Sequence, residues 1–324
     1  MIIWEKFKKN IFDNNLVASG DKVLLAVSGG ADSMVMTSLF SILMRSLNIE
    51  TLVVNFNHNL RKESKKEAKI VKNFADSLNI ECILKDLNTK DFAKKNNISV
   101  ETAGRQLRYL SLEEIAKEYK CNKIATAHNM NDNAETVFMW LLRGTGTEGL
   151  TGIPVERKIS KNLSIIRPLL AISRELIDDY AKKKGIKFCT DKSNFKCDYT
   201  RNKIRLKLIP ALKEINPLVV EHIYNLSCIV KDETTYFKNK INSFMLKSVK
   251  TSKNSITINL KSFYKQDKLL QQKILKYILP DKKRAVQISN ILVWLKDNDT
   301  KSYTLSKIWI AKKSKKYLKI YKIN

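Results

Sequence analysis

The stretch that decides the fold is Val23-Leu24-Leu25-Ala26-Val27-Ser28-Gly29-Gly30-Ala31-Asp32-Ser33. Its first five residues are an unbroken apolar run, as expected of a strand covered on both faces. The two glycines let the backbone turn sharply, and helical periodicity takes over from about 33 to 47. Strand, glycine turn and helix in that order aim unpaired N–H groups and the positive end of a helix dipole at an anion, which makes a prepared phosphate site. Ser28 and Ser33 add hydroxyl donors. An aspartate amid phosphate donors, Asp32, fits best as the holder of a Mg²⁺ ion that bridges to the phosphates.

Outward from this stretch, Leu52–Phe56, Glu81–Lys85 and Lys123–Ala127 read as further buried strands, with helices near 33–47, 63–78, 101–119 and 132–142. This alternation predicts an α/β, Rossmann-like domain with a parallel sheet, and ligands are expected beyond the carboxyl ends of its strands, in the loops after Val27, Phe56 and Ala127. The string Gly144-Thr145-Gly146-Thr147-Glu148-Gly149 matches a dinucleotide fingerprint only formally, since it follows a helical segment rather than a strand. Beyond it, Ile172–Lys184 and Arg201–Leu212 read as helices, the latter ending at Pro210 and Pro217, and a long helical connector is expected over about 218–246. Then come a strand at Ser255–Leu260, helices at 266–278 and 285–295, and a terminal hairpin of Lys307–Ile310 with Tyr317–Tyr321. A domain boundary is placed near 215, dividing a catalytic domain (1–215) from the connector and a small basic α+β domain (216–324).

Charge divides the 324-residue chain in the same sense. The total is 60 Lys and Arg against 32 Asp and Glu, but residues 1–150 hold 21 basic and 18 acidic side chains and residues 151–324 hold 39 and 14. The last 24 residues contain eight lysines and no acid. A near-neutral front half followed by a strongly basic back half argues against an enzyme that handles only small molecules and points to a polyanionic partner. No apolar run approaches the roughly 20 residues of a membrane span, and the amino end lacks a signal-peptide core, so a soluble cytoplasmic protein is expected. Five cysteines without a Cys-x-x-Cys pair, and histidines only at 58, 128 and 222, leave little material for a disulfide framework or a transition-metal site.

Several further motifs carry a resemblance. They are Asn57-His58-Asn59-Leu60-Arg61, Glu101 to Tyr109 with Arg105 and Arg108, Thr126 to Thr136 leading into Leu141-Leu142-Arg143-Gly144, Arg167-Pro168-Leu169-Leu170, Asp191 to Asn194, and Tyr199 to Arg205. With Ser28-Gly29-Gly30-Ala31-Asp32-Ser33 after a first strand, the set resembles the PP-loop ATP pyrophosphatases and, taken in order over residues 20–212, their bacterial tRNA(Ile)-lysidine synthases. The resemblance implies that ATP adenylates the wobble cytidine of a tRNA(Ile) with a CAU anticodon, that pyrophosphate leaves, and that free L-lysine then displaces AMP to form lysidine. A tRNA thiolase of the same superfamily is the alternative.

Roles follow as expectations of that resemblance. Ser28, Gly29, Gly30, Ala31, Asp32 and Ser33 bind ATP, with Asp32 reaching Mg²⁺ through the phosphates. Arg105 lies near the α-phosphate, and Asp132 and Glu135, three apart on one helical face, take the lysine ammonium and its proton. Arg201 and Arg205, with Lys203 and Lys207, form a basic segment suited to the tRNA backbone. His58 and His128 sit at strand ends and divide between catalytic and structural readings. Of Tyr303, Trp309, Tyr317 and Tyr321, most are expected in a core. The chain departs from the family in having Asn131 before Asp132, where two aspartates are common. It implies no protein partner and leaves a homodimer open.

Overall fold

The computed structural model describes residues 2–57, 64–189, 200–279, 285–297 and 301–322. Contacts divide the chain into two units, Met1–Cys228 and Ile229–Asn324. The division falls inside a long helix rather than near 215, because the first turns of that helix still belong to the front unit. There Val220 joins Met130, Ala134, Ile204 and Ile209 in one apolar cluster, with Ile223 and Tyr224 against it.

The front unit begins with helix α1 (Ile2–Asp13), β1 (Lys22–Ala26), α2 (Ala31–Leu47), β2 (Glu50–Asn57), α3 (Ser64–Ser77) and β3 (Glu81–Asp86). It continues through α4 (Thr89–Asn96), α5 (Val100–Glu118), β4 (Lys123–Thr126), α6 (Met130–Leu142), α7 (Thr147–Leu150), β5 (Glu156–Ser160), β6 (Leu163–Ile166) and α8 (Arg174–Lys183). The sheet order is β3-β2-β1-β4-β6-β5, with β5 alone antiparallel to its neighbour. Alternation along β1 sorts its side chains between two cores. Val23 and Leu25 meet α1, α2 and α8 through residues such as Phe7, Phe40 and Ile177, while Leu24 meets Leu112 and Ile115 of α5. The parallel order runs outward from β1 on one side and then resumes with β4 on the other. The crevice between the ends of β1 and β4 is therefore the topological switch point where such sheets bind ligands.

After residues 190–199, which lie outside the described residues, one helical run comprises α9 (Thr200–Lys203), a π-helical turn (Ile204–Leu208) and α10 (Ile209–Ile215). Pro210 was expected to end this helix. Instead the wider turn ahead of it accommodates the proline, which has no N–H to donate and whose ring crowds the preceding turn, and the helix runs on to Ile215.

α11 (Val219–Ser248) spans the division. The second unit contains β7 (Val249–Ser252), β8 (Ser255–Asn259), α12 (Leu260–Tyr264), α13 (Lys268–Ile278), α14 (Ala285–Lys296), β9 (Ser302–Ser306), β10 (Trp309–Lys313) and β11 (Tyr317–Lys322). Its strands form an antiparallel sheet, β7-β8-β11-β10-β9, over a core that includes Ile258, Phe263, Ile274 and Ile320. Along β11, Leu318 and Ile320 point inward and Tyr317 and Lys319 outward. Of the four aromatics expected mostly in a core, Tyr303 and Trp309 pack against it, Tyr317 is exposed, and Tyr321 is half-buried with the Lys312 ammonium 5.7 Å from its ring. No helix among the described residues is long and apolar enough to cross a membrane.

Candidate active site

The loop after β1 is shaped by its glycine. Gly29 adopts φ +88°, which L side chains rarely reach, and a Cβ there would lie 3.3 Å from Val71 Cγ2. Gly30 caps α2 without a side-chain hydrogen bond, so the first-turn N–H groups of this helix remain available to an anion. Ser33 Oγ donates to the Gly30 carbonyl at 2.9 Å and accepts from Ser28 N–H at 3.2 Å, which folds the loop back on the helix start. Ala31 is buried, so only its backbone can serve a phosphate.

The loop after β4 reaches the same place. Asn129 caps α6 by accepting from Asp132 N–H, and the Asp132 carboxylate accepts in return from Asn129 N–H at 3.0 Å, a complete capping box. The Asn129 amide then crosses to the first loop and donates to Asp32 Oδ1 at 2.9 Å. Asp32 Oδ2 accepts from Arg174 Nη1 at 2.6 Å, and the same guanidinium holds Asp178. Burial lifts the Asp32 carboxyl above its ordinary range; Arg174 opposes the shift and the neighbouring Asp132 adds to it. Asn131, the departure noted in the sequence, accepts from the backbone N–H of Arg174 at 3.0 Å and so anchors the start of α8 where that arginine projects. An aspartate here could accept the same bond but would add another negative charge to this crevice.

The helix carrying these groups is pinned from behind. Asn133 donates to Ser227 Oγ at 3.1 Å and accepts from Ile153 N–H at 2.7 Å. The chain passes so close there that a Cβ on Gly152, at φ +64°, would fall 2.0 Å from Asn133 Oδ1.

The four residues expected as one basic RNA-facing segment divide in two. Lys203 and Lys207 are exposed, whereas Arg201 and Arg205 turn inward onto α6. Arg201 reaches Glu135 at 2.6 Å and Asp132 at 2.8 Å, and Arg205 reaches Glu135 at 2.5 Å and Asp132 at 3.1 Å. The two carboxylates also differ from each other. The Glu135 side chain is 1% exposed and lies behind the site, while Asp132 is 15% exposed and lines the cavity. That cavity, of about 650 Å³, opens at the switch point and is walled by the β1 loop with Asp32, by Arg105, Arg108 and Tyr109 of α5, and by His128, Arg174, Arg201 and Arg205. His58, Asn59–Arg61, Asp191–Asn194, Cys197 and Tyr199 lie outside the described residues.

His128 accompanies this wall with Nδ1 3.1 Å from Thr126 Oγ1. Burial drives its pKa down from 6.5 to about 4; Asp132 opposes the shift and nearby arginines reinforce it. The ring is therefore neutral at physiological pH and has no proton to give as an acid. Below about pH 6.5 the unfolded chain takes up a proton that the folded one refuses until about pH 4, so stability from this group is present above 6.5 and is lost as pH falls through that window. A His128→Gln chain should lose less melting temperature than the native chain between pH 7 and pH 4.5 in parallel thermal scans; equal losses would remove His128 from the acid response.

Burial pushes the Cys82 and Cys121 thiols up to about 11, and Cys189 abuts the loop through its N–H, which donates to the Gly29 carbonyl at 2.8 Å. No group of three potential metal ligands occurs among the described residues. For a hard cation the material is different. Mg²⁺ binds through one or two carboxylates together with phosphates and keeps waters, and Asp32, flanked by Asp132 and facing the loop, fits that requirement.

The family model of the PP-loop domain matches residues 3–212. The tRNA(Ile)-lysidine synthase of Petrotoga mobilis is 34% identical, over 85% of this chain and 87% of that protein. The chain belongs to the tRNA(Ile)-lysidine synthase family of PP-loop proteins. Within this family, the synthase of Thermosipho africanus is 44% identical over 74% of this chain and 58% of its own length. That of Clostridium perfringens is 36% identical over 90% and 64%. The chain thus spans about three fifths of the length of these two lysidine synthases. Among solved structures, the U34-tRNA thiolase NcsA from Methanococcus maripaludis shares the fold, with a TM-score of 0.60 at 20% identity over 71% of this chain and 78% of that one.

Arg174 is the site residue that sequence reasoning missed. It follows the N-cap Ser173, and its spacing from Asp178 reads as a surface i,i+4 pair; nothing local indicates that it closes on Asp32, 142 positions away.

Proposed function

We propose that this chain ligates L-lysine to C2 of the wobble cytidine of a tRNA(Ile) with a CAU anticodon, consuming ATP and releasing AMP and pyrophosphate. The observation that carries the reading is the meeting, at one switch point, of an uncapped helix start behind a glycine loop with the Asp132 carboxylate and five arginines, in a chain of this family.

In the first step the cytosine C2 oxygen attacks the α-phosphorus and the bond to pyrophosphate breaks. The loop N–H groups, Ser28 and Ser33 hold the β and γ phosphates, and Arg105 and Arg174 face the growing charge, an electrostatic task for pre-oriented donors. Asp32 holds Mg²⁺, which supplies charge neutralisation at the phosphates. In the second step the lysine ε-nitrogen forms the C–N bond at C2 while the C2–O bond breaks and AMP leaves with that oxygen. Only the neutral amine attacks, so a proton must first go to a base. Asp132, the accessible carboxylate of the pair, takes it, and a lysine ammonium approaching Asp132 displaces one of the guanidiniums that now occupy it. Glu135 acts on the site by holding Arg201 and Arg205 in place. Lys203 and Lys207, exposed on the same helical run, and the lysine-rich second unit meet the tRNA backbone.

Incubation with ATP, Mg²⁺, radiolabelled lysine and total bacterial tRNA tests this. Label in tRNA(Ile) that depends on ATP and survives mild alkaline deacylation is expected. AMP release on tRNA addition without such label would retain the adenylation and overturn lysine as the nucleophile.

A further inference from the structure

Four arginines gather around Tyr109: Arg105 and Arg108 line the cavity, Arg157 and Arg167 lie beyond its lining, and of the four only Arg105 has a part in the chemistry above. Around the Tyr109 ring, the guanidinium carbons of Arg105, Arg108 and Arg157 stand 5.3, 5.9 and 5.3 Å from its centre. Arg167, only 5% exposed, donates to the Pro154 carbonyl at 2.5 Å, yet its buried Nε has no partner. None of the four forms a salt bridge among the described residues. The other arginines of the crevice, 174, 201 and 205, are each tied to two carboxylates.

Gathering like charges this way is unfavourable unless an anion completes the group. The cations feel one another: burial, aided by Arg105, draws the Arg108 pKa below its ordinary value, and burial with Arg157 and Arg105 does the same to Arg167. Exposure is graded, from buried Arg167 through half-buried Arg108 and Tyr109 to exposed Arg105 and Arg157. Such a series receives an anion from solvent at one end and stiffens it from below at the other. Bidentate guanidinium donors suit a phosphate.

We propose that Arg105, Arg108, Arg157 and Arg167, with Tyr109, form a second anion site that holds a phosphodiester of the RNA strand beside the nucleotide in the cavity. This rests on the RNA-modifying reading above. Sheet order favours RNA over the triphosphate of ATP as the source of the phosphate. Arg157 stands on β5, three strand spacings from β1, which is about 14 Å, while the triphosphate is placed at the loop following β1. A strand of phosphodiesters entering the cavity continues past Tyr109 to Arg157; the triphosphate of a nucleotide anchored at the loop does not extend so far.

The test uses the full chain, an unmodified tRNA(Ile) transcript and ATP, each titrated separately over a range of salt concentrations. Arg157→Gln removes the exposed member, and Lys158→Gln is the charge-matched control, because Lys158 points to the opposite face of β5. Arg157→Gln should weaken transcript binding about tenfold at low salt and reduce the salt slope by about 0.7 to 0.9, the release of one phosphate's counterion. Lys158→Gln should keep the native transcript affinity, and ATP affinity should be equal in all three proteins. The site is overturned if Arg157→Gln binds the transcript as the native chain does, if Lys158→Gln weakens it equally, or if ATP affinity falls by the same factor. A native chain that does not bind the transcript at all overturns the RNA-modifying reading and this site together, an outcome distinct from the site's own failure.

Discussion

An Asp32→Asn chain is expected to fold with a melting temperature no lower than the native protein's while losing about 10³-fold or more in lysidine formation. The two halves of this result have one cause. Burial raises the Asp32 carboxyl pKa, so the folded chain holds that proton more tightly than the unfolded chain does. Stability from this group is therefore fully present at pH below the ordinary carboxylate value and is lost as pH rises through the raised one, which makes the ionised group a net cost at neutral pH. An asparagine removes that cost, still accepts from Arg174 or Asn129, and leaves Arg174 its second partner, Asp178. It cannot offer the negative charge that the proposed metal-assisted stabilisation of departing pyrophosphate requires, and losing one such electrostatic element costs about 10²–10³ in rate or more. Thermal melts and the lysine-incorporation assay on the same preparation check both halves. A clear drop in melting temperature would recast Asp32 as a structural partner of Arg174, and retained incorporation would remove it from the phosphate site.

The loop itself was legible in the sequence. Two glycines between a continuous apolar strand and a helix start, followed by hydroxyl and carboxylate side chains, leave few readings other than an anion site. Strands β1 to β4 were legible for the same kind of reason, since continuous apolar runs between helical periodicities admit few other readings. The hairpin of β5 and β6 was not read. β5 is a short edge strand, Glu-Arg-Lys-Ile-Ser, whose charged residues hide its strand character even as they protect a sheet edge. Helix α1 buries Ile3, Phe7 and Ile11 at helical spacing, a pattern present in the sequence but absent from the reading of the amino end. In the site, position along one element could be read and partners across elements could not. The i,i+4 spacing of Arg201 and Arg205 is plain, but whether such a pair faces solvent or a carboxylate 66 to 70 positions earlier is decided by how the π-containing helix packs on α6.

Glu135→Ala should destabilise the front unit by about 3 kcal/mol, the low end of what removing one partner from a buried ion pair costs. It should also depress lysidine formation. Glu135 is 1% exposed and receives Arg201 Nε, Arg205 Nε and Arg205 Nη2 at 2.6, 2.5 and 3.0 Å, so its loss strands two guanidiniums whose only other carboxylate partner among the described residues is Asp132. Those guanidiniums are themselves about a third exposed, so water offsets part of the penalty and holds the estimate to the low end. Removing the second charge as well should relieve it. The Glu135→Ala, Arg205→Ala double variant is expected to fall short of the sum of the single losses by at least about 1 kcal/mol, because the pair acts as a unit. Denaturant melts of the four proteins measure that coupling. Activity distinguishes positioning from chemistry: Glu135→Gln keeps two hydrogen-bond acceptor sites without charge and should recover part of the rate that alanine loses, whereas Asp132→Asn should recover none, since an amide cannot take the proton of the lysine amine. Additive stability losses, or an Asp132→Asn enzyme as active as Glu135→Gln, would dissolve the proposed division of labour between the buried carboxylate that holds the arginines and the accessible one assigned to the substrate.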